Sequence, residues 1–264
     1  MLNHGLLPYW WKIFVHSKAL EYRTDIFRNI EDSYMLKNLS FNSNDIYLDI
    51  GTGCSVVPSL IGKLFNCKVI TTDLDEKYRI VQEQYKELSS LNSQNFLFDL
   101  QNATELTYPD RLFTKVSLIS TIEHIPDDGD VLAIEEITRV LRQHGRIVVT
   151  VPCSRQYIEQ QKTFYYDGFE RRYDTNSIRA RLMHPTLRLV DQLYMCSPDE
   201  DFTRSLKENF FEVTGGENFS DVWYKKGWHE KYSDISILLS LSLIRLVKDP
   251  DDSIFGACLT FEKL

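Results

Sequence analysis

The most informative part of this chain is the segment Ile46-Tyr-Leu-Asp49-Ile-Gly51-Thr-Gly53-Cys-Ser55. A short apolar strand pattern with an acidic residue runs into two glycines one residue apart, and then into a predicted helix that Ser55 can cap. Glycines permit positive φ and let a ligand approach the backbone closely. In an open α/β sheet such a turn lies at the carboxyl end of a strand, where ligands bind. The segment therefore predicts a site for a nucleoside-type ligand.

Strand and helix patterns alternate from this segment onward. We predict strands at 46–50, 68–72, 95–98, 115–120, 146–151, 187–195 and 254–262, and helices at 56–65, 76–91, 131–142 and 235–247. Residues 6–39 also show helical spacing. Asp127, Asp128 and Asp130 would favour the start of the helix at 131–142 through its dipole, and Gly145 would close it. The alternation predicts an α/β fold, with a parallel sheet and helices on both faces.

Composition narrows the classes of function. The net charge of −8 and the lack of a basic stripe argue against a nucleic acid held through its phosphates. Five cysteines without CxxC spacing predict reduced thiols rather than disulfides or a zinc site. The amino terminus lacks the layout of a signal peptide, and the most apolar run, 235–247, is too short to span a bilayer. We therefore expect a cytoplasmic protein with neither a nucleic-acid nor a membrane partner.

Asp73 follows the second predicted strand, about twenty residues after the glycines, which is the spacing at which a carboxylate can hold ribose hydroxyls. The competing interpretation is that Asp73 caps the next helix, and for an isolated aspartate this is the commoner role. Combined with the glycine turn, the ribose role is favoured. A dinucleotide is disfavoured because the third glycine of a G-x-G-x-x-G motif would fall on Val56.

Further segments follow the glycine turn in a characteristic order. They are Val69-Ile-Thr-Thr-Asp73, Asn102-Ala-Thr-Glu-Leu-Thr-Tyr-Pro-Asp110, Ser120-Thr-Ile-Glu-His124-Ile-Pro-Asp-Asp-Gly-Asp130 and the run from Arg139 to Pro152. Together they resemble the motifs of class I S-adenosylmethionine-dependent methyltransferases, and most closely the small-molecule type with an "EHI-D" signature. The resemblance implies a Rossmann-like, seven-stranded, mostly parallel sheet with an antiparallel last strand, an N-terminal helical extension and lid insertions.

We expect one methyltransferase domain over residues 1–264. Its parts are an N-terminal helical extension at 1–42, a cofactor-binding half at 46–152, and a substrate-binding half at 153–264 with insertions at 153–185 and 197–234.

The resemblance implies S-adenosylmethionine as cofactor and S-adenosylhomocysteine as its product. The residues implied in cofactor binding are Asp49, Gly51, Thr52, Gly53, Asp73, Leu74, Asp99, Asn102, Ala103, Ser120, Thr121 and Ile122. Asp73 would hold the ribose, with Leu74 against the adenine. Asn102 stands where the family usually has aspartate and would accept from the adenine amino group; Asp99 takes that role if the register is shifted. Ser120 and Ile122 would line the sulfonium end.

His124, beside these motifs, is a candidate general base because its pKa lies in the useful range. Its alternative role is packing at a helix start, and neighbouring Glu123 is expected to make a structural hydrogen bond. Substrate contacts are expected in the segment 164–174, which follows the strand at 146–151. Tyr166 is the second catalytic candidate, with Tyr165, Arg172 and Tyr173 as further contacts.

The expected reaction is methyl transfer to an oxygen or nitrogen of a small-molecule acceptor by in-line displacement. Positioning the acceptor is worth roughly 7–11 kcal/mol in such a reaction, and a metal ion is not required. The alternative is a non-catalytic binding or scaffolding protein with the same fold. A homodimer is possible.

Overall fold

The computed structural model describes residues 4–17, 27–160, 168–196 and 244–264. Its strands are β1 (Ile46–Ile50), β2 (Lys68–Asp73), β3 (Phe96–Leu100), β4 (Phe113–Ile119), β5 (Leu141–Pro152), β6 (Leu187–Cys196), β7 (Arg245–Val247) and β8 (Ile254–Lys263). They form one sheet in the order β3-β2-β1-β4-β5-β8-β6-β7.

The first five strands are parallel neighbours. β8 runs antiparallel between β5 and β6, and β7 runs antiparallel to β6. This topology confirms the predicted α/β class, the mostly parallel sheet and the antiparallel last strand. The sheet has one strand more than the seven expected, and the additional strand is the short β7.

Helices cover both faces of the sheet, as predicted. They are α1 (Leu7–Ser17), α2 (Arg28–Leu39), α3 (Val57–Phe65), α4 (Tyr78–Leu88), α5 (Gly129–Val140) and α6 (Thr175–Arg181). Successive strand residues point to opposite faces, so Leu48 packs in the core with α5 and α6, whereas Tyr47 packs in the core with α1, α2 and α3. The two apolar clusters thus lie on opposite sides of one sheet.

The N-terminal extension packs on the second of these faces. The indole of Trp10 in α1 donates a 2.9 Å hydrogen bond to Asn29 in α2, and the Tyr34 hydroxyl accepts one of 3.0 Å from Thr260 in β8. α2 also contacts β4 and β5. These contacts bring the start of α2 to the end of β4, where the candidate site lies.

Three local predictions were wrong. Gly145 does not close α5, which ends at Val140; it lies inside β5, where a Cβ would come within 2.7 Å of the Leu141 side chain. Ser55 does not cap α3 as its N-cap, since Val56 takes that position and the Ser55 hydroxyl accepts only a long 3.3 Å bond from the Val57 amide.

The third concerns the predicted helix at 235–247. Its described end, Arg245–Val247, is strand β7, because it pairs with Tyr194–Cys196 of β6. Residues 235–243 of the predicted helix and the insertion at 197–234 lie outside the described residues. Among the helices that the structure describes, none combines the length and the apolar character needed to cross a membrane.

Candidate active site

The predicted cofactor residues gather at one edge of the sheet. β1, β2, β3 and β4 are parallel, so their carboxyl ends lie side by side, with Ile50 opposite Thr72 and Thr72 opposite Asp99. The chain leaves β1 toward β2 and β3, and then returns to place β4 on the other side of β1. This reversal of strand order opens a crevice between the two neighbouring connections, which is where open α/β sheets bind ligands.

The two glycines of the turn after β1 have different neighbours. Gly51 has φ +70° and Gly53 has φ +50°, a region that side chains disfavour. A Cβ on Gly51 would lie 2.1 Å from Cγ2 of Thr121, whereas a Cβ on Gly53 would meet no atom of the described residues within 4 Å apart from its chain neighbours. Gln82 of α4 donates a 3.0 Å bond to the Gly53 carbonyl and so holds the turn. Gly51 thus permits close packing within the protein, and Gly53 leaves open space for a ligand.

Asp73 holds the same turn from the end of β2. Its Oδ2 accepts a 2.9 Å bond from the Gly53 amide, and its Oδ1 accepts one of 3.1 Å from the Asp75 amide. α4 begins only at Tyr78, so Asp73 does not cap it. A carboxylate offers about four acceptor positions, so two bonds to amides leave capacity for ribose hydroxyls. Next to it, the Leu74 side chain is 74% exposed, as an apolar platform for adenine would be before the ligand binds.

Asp49 and Thr52, the other residues implied at the methionine end, are buried. Oδ1 of Asp49 accepts hydrogen bonds from Ser117 (2.5 Å) and from the hydroxyl of Tyr47 (3.0 Å). Burial raises the pKa of the Asp49 carboxyl, and these bonds act against that shift. Asp49 therefore ties β1 to β4 behind the glycine turn, and its contact with a cofactor stays a prediction.

At the adenine end, the structure distinguishes Asn102 from Asp99. The Asn102 side-chain oxygen already accepts two bonds from Thr104, from the amide at 3.1 Å and from the hydroxyl at 3.0 Å. Asp99 uses Oδ2 to accept a 2.8 Å bond from the Tyr108 hydroxyl. Ala103 lies half-buried in the turn after Asn102. Because the Asn102 oxygen is engaged within its own turn, Asp99 is the better candidate for the adenine amino group.

The opposite end of the site is formed by the turn after β4. Ser120 has φ +47°, its amide donates a 2.9 Å bond to the Thr150 hydroxyl, and its own hydroxyl donates one of 2.8 Å to Glu31. Arg28 donates to the carbonyl of Ile119 at 3.0 Å and pairs with Glu31 at 3.1 Å. The start of α2 is thereby fixed to the loop that was expected to line the sulfonium. Thr121 and Ile122 follow in the same turn, and Ile122 is fully buried.

His124 and Glu123 lie side by side in that turn. Nδ1 of His124 is 3.0 Å from the carbonyl oxygen of Phe169. Since a carbonyl can only accept, the neutral ring carries its proton on Nδ1, which leaves Nε2 as the basic nitrogen, 3.8 Å from Oε1 of Glu123. Glu123 is 2% exposed, and its Oε2 has no hydrogen-bond partner among the described residues. Burial raises the pKa of Glu123 to about 8. The structural hydrogen bond expected of this side chain is thus not seen for Oε2.

The segment expected to contact substrate is anchored by a buried ion pair. Arg171 pairs with Asp130 at 2.5 Å, and the Tyr173 hydroxyl donates a 2.9 Å bond to the same carboxyl. Tyr173 is fully buried, so its side chain packs this segment against α5. Asp130, expected to act through the dipole of α5, is instead a partner of Arg171 and Arg181. Tyr165 and Tyr166 lie outside the described residues.

Sequence reasoning missed Arg28 and Glu31. They lie 89 or more residues before the backbone and hydroxyl groups that they contact, and no spacing rule connects such positions. The available signal was the polarity of α2, whose residues Asn29, Glu31, Asp32 and Ser33 are all buried in the fold. Buried charged residues are rare unless paired.

Comparison with known proteins agrees with this geometry. The family model described as "Methyltransferase domain" matches residues 48–149, from β1 into β5. The match, the fold and the relatives described next confirm the resemblance seen in the sequence. Residues 48–149 form a class I S-adenosylmethionine-dependent methyltransferase domain, and S-adenosylmethionine is its cofactor.

Among curated proteins, the chain is similar to the ubiquinone/menaquinone biosynthesis C-methyltransferase UbiE of Rickettsia akari (strain Hartford). The two are 24% identical over 254 residues, which is 83% of this chain and 95% of the relative. Among solved structures, geranyl diphosphate C-methyltransferase from Streptomyces coelicolor A3(2) has a TM-score of 0.58 at 10% identity, over 88% of this chain and 76% of that one. A SAM-dependent methyltransferase from Methanosarcina mazei has a TM-score of 0.55 at 13% identity, over 87% and 96%. These structures share the fold.

Replacing Asp73 with alanine should weaken cofactor binding about ten- to a hundredfold, because charge-assisted hydrogen bonds to a ribose contribute about 1.5–3 kcal/mol. Calorimetric titration with S-adenosylhomocysteine measures the effect. Asp75→Ala is the matched control, since Asp75 is exposed and its carboxylate pairs with neighbouring Lys77. Equal affinities of the two variants would refute the ribose assignment.

Proposed function

We propose that this chain transfers a methyl group from S-adenosylmethionine to a carbon atom of a small-molecule acceptor. The observation that carries the proposal is the turn after β1. There Gly53 faces open space, and its amide is held by the carboxylate of Asp73. Backbone that a ligand can approach, next to an acceptor for ribose hydroxyls, fits a nucleoside cofactor.

Bound S-adenosylmethionine supplies a methyl group attached to a positively charged sulfur. The chain then has to orient the acceptor, exclude water and accept a proton. The Ser120–Ile122 turn is our candidate for orienting the acceptor, since Arg28 and Glu31 hold it from α2. The segment 168–174 is our candidate for excluding water, because Arg171 and Tyr173 fix it next to the carboxyl edge of the parallel strands.

Carbon is favoured over the oxygen or nitrogen expected from the sequence because of the relatives. The curated relative and one of the similar structures are both named as C-methyltransferases. Transfer to carbon also needs a proton acceptor, since the methylated carbon or a neighbouring hydroxyl must lose a proton. His124 fits this need, because the Phe169 carbonyl leaves Nε2 of the neutral ring as its base.

The test is a transfer assay with S-adenosylmethionine labelled with ¹³C in the methyl group. The acceptors are a benzoquinol and a naphthoquinol with short side chains, together with a catechol and an aromatic amine. The shift of the labelled methyl distinguishes carbon, oxygen and nitrogen attachment in one spectrum. A C-methyl product supports the proposal, and an O- or N-methyl product supports the acceptor class first expected. Cofactor binding without transfer to any acceptor would favour the non-catalytic alternative.

Replacing His124 with alanine should lower kcat at least about tenfold, since a general base contributes roughly 10²–10⁴-fold. The affinity for S-adenosylhomocysteine should stay close to the wild-type value. His184→Ala is the control: it precedes β6, whose Leu187 pairs with Lys263 at the amino edge of the parallel strands. A normal kcat for His124→Ala would assign this side chain to packing.

A further inference from the structure

Two carboxyl groups and one guanidinium lie next to the turn that follows β4. We refer to Glu31, Glu123 and Arg28 as the β4-end cluster. Glu31 accepts from the Ser120 hydroxyl at 2.8 Å and pairs with Arg28 at 3.1 Å. Glu123 belongs to the same turn as Ser120, and it lies close enough for the charges of both Glu31 and Arg28 to act on it. Glu31 and Glu123 are both more than nine-tenths buried.

The two carboxyl groups of the cluster differ in the partners that the described residues give them. Arg28 makes a direct ion pair with Glu31, and its charge also stabilises the carboxylates of Glu123 and Asp49. Oε2 of Glu123, by contrast, is buried without a hydrogen-bond partner among the described residues. A buried polar atom with no partner is costly, and a ligand of the complementary charge would remove that cost.

From this geometry we infer that the β4-end cluster is a cation-recognition site for the sulfonium of the cofactor, with Glu123 as the residue that distinguishes the charged cofactor from its neutral product. The inference rests on the proposed function and on the expectation from the sequence that Ser120 and Ile122 line the sulfonium end. It adds Glu31 and Glu123 to that site as charge-complementing residues. S-adenosylmethionine and S-adenosylhomocysteine differ by a methyl group and by the charge on sulfur, so their affinity ratio reports on this contact.

Protonation of Glu123 makes the preference for S-adenosylmethionine over S-adenosylhomocysteine depend on pH. With a pKa of about 8, Glu123 is mostly neutral at pH 7 in the free protein. Its charged and titratable neighbours are Glu31 and Arg28 from α2, Cys153 from β5, Glu170 and Tyr173 from the 168–174 segment, and His124 from its own turn. A bound cation favours the carboxylate and lowers this pKa, so binding of S-adenosylmethionine below pH 8 expels a proton. Its affinity therefore rises with pH and levels off above pH 8.

The experiment is calorimetric titration of the whole chain with each of the two ligands from pH 6.5 to pH 8.5. The expected result for the wild type is a rise of roughly tenfold in the affinity ratio of S-adenosylmethionine to S-adenosylhomocysteine. Repeating the titration in two buffers of different ionisation enthalpy counts the released protons and needs no variant. Proton release should accompany S-adenosylmethionine only.

Glu123→Gln should make the ratio independent of pH and abolish the proton release, while Glu87→Gln, on the exposed side of α4, should behave as wild type. A pH-independent ratio in the wild type, with both ligands bound, would overturn the inference and leave the proposed function intact. Failure of the folded wild-type chain to bind either ligand would overturn both.

Discussion

Gly51→Ala is expected to abolish cofactor binding and to lower the melting temperature, whereas Gly53→Ala should abolish binding with a much smaller loss of stability. Both positions have positive φ, where an alanine costs about 1–2 kcal/mol. At Gly51 the new Cβ would also lie 2.1 Å from Cγ2 and 2.5 Å from Oγ1 of Thr121, so the turn after β4 must move. At Gly53 it would meet no atom of the described residues within 4 Å apart from its chain neighbours, and this is the space that we propose for the cofactor.

Thermal unfolding and titration with S-adenosylhomocysteine separate the two effects. Thr121→Ala in the Gly51→Ala background is the internal control, because it removes both of the atoms at 2.1 Å and 2.5 Å. The double variant should recover part of the lost melting temperature. If Gly53→Ala bound the ligand as tightly as wild type, the space next to Gly53 would not be the cofactor site.

The parts of the site that the sequence predicted are those in which residues close in the chain act together. The strand, the Gly51–Gly53 turn and Asp73 are linked by one strand–helix–strand unit, and its parallel pairing brings the Asp73 carboxylate to the Gly53 amide. Local chemistry is sufficient there, because the turn needs positive φ and its Gly53 amide needs an acceptor, which Asp73 supplies. The same holds for Leu74, which directly follows Asp73 and is exposed.

The parts that were missed depend on pairing between distant segments. Glu31 reaches Ser120 only because α2 packs on the second face of the sheet, and no pattern within α2 identifies its partner. Likewise, three acidic residues at the start of α5 fit a helix-dipole role equally well. Only the fold shows that Asp130 is the buried one. Its partner Arg171 follows β5 in the chain and packs back against the start of α5. The sequence predicted that Gly145 closes a helix because it follows one closely. Its packing against Leu141 is what requires a glycine.

Asp130→Asn is expected to reduce the free energy of unfolding by about 3–5 kcal/mol, the usual cost of breaking a buried ion pair from one side. The side chains of Asp130 and Arg171 are both 0% exposed. Arg171 would keep its bonds to the carbonyls of Ile125 (2.8 Å) and Asp127 (2.7 Å) and a 3.8 Å contact with the exposed carboxylate of Glu159, none of which replaces its buried partner. Asp128→Asn is the matched control. Asp128 also contacts Arg181, at 3.0 Å, but it is 81% exposed, so its loss should change stability by less than about 1 kcal/mol.

The contribution of Asp130 to stability should depend on pH in a definite direction. Burial by itself raises the pKa of Asp130, but the hydrogen bonds from Arg181 and Arg171 outweigh it, so the pKa in the folded chain lies below the ordinary value of 3.8. The stabilisation is therefore fully present above about pH 5 and is lost as the pH falls through the lowered pKa. Urea unfolding of wild type and Asp130→Asn should show a stability difference that is constant from pH 7 to about pH 5 and shrinks below pH 4. A difference that persists unchanged into acid would mean that packing, rather than the charge of Asp130, anchors the 168–174 segment beside the active site.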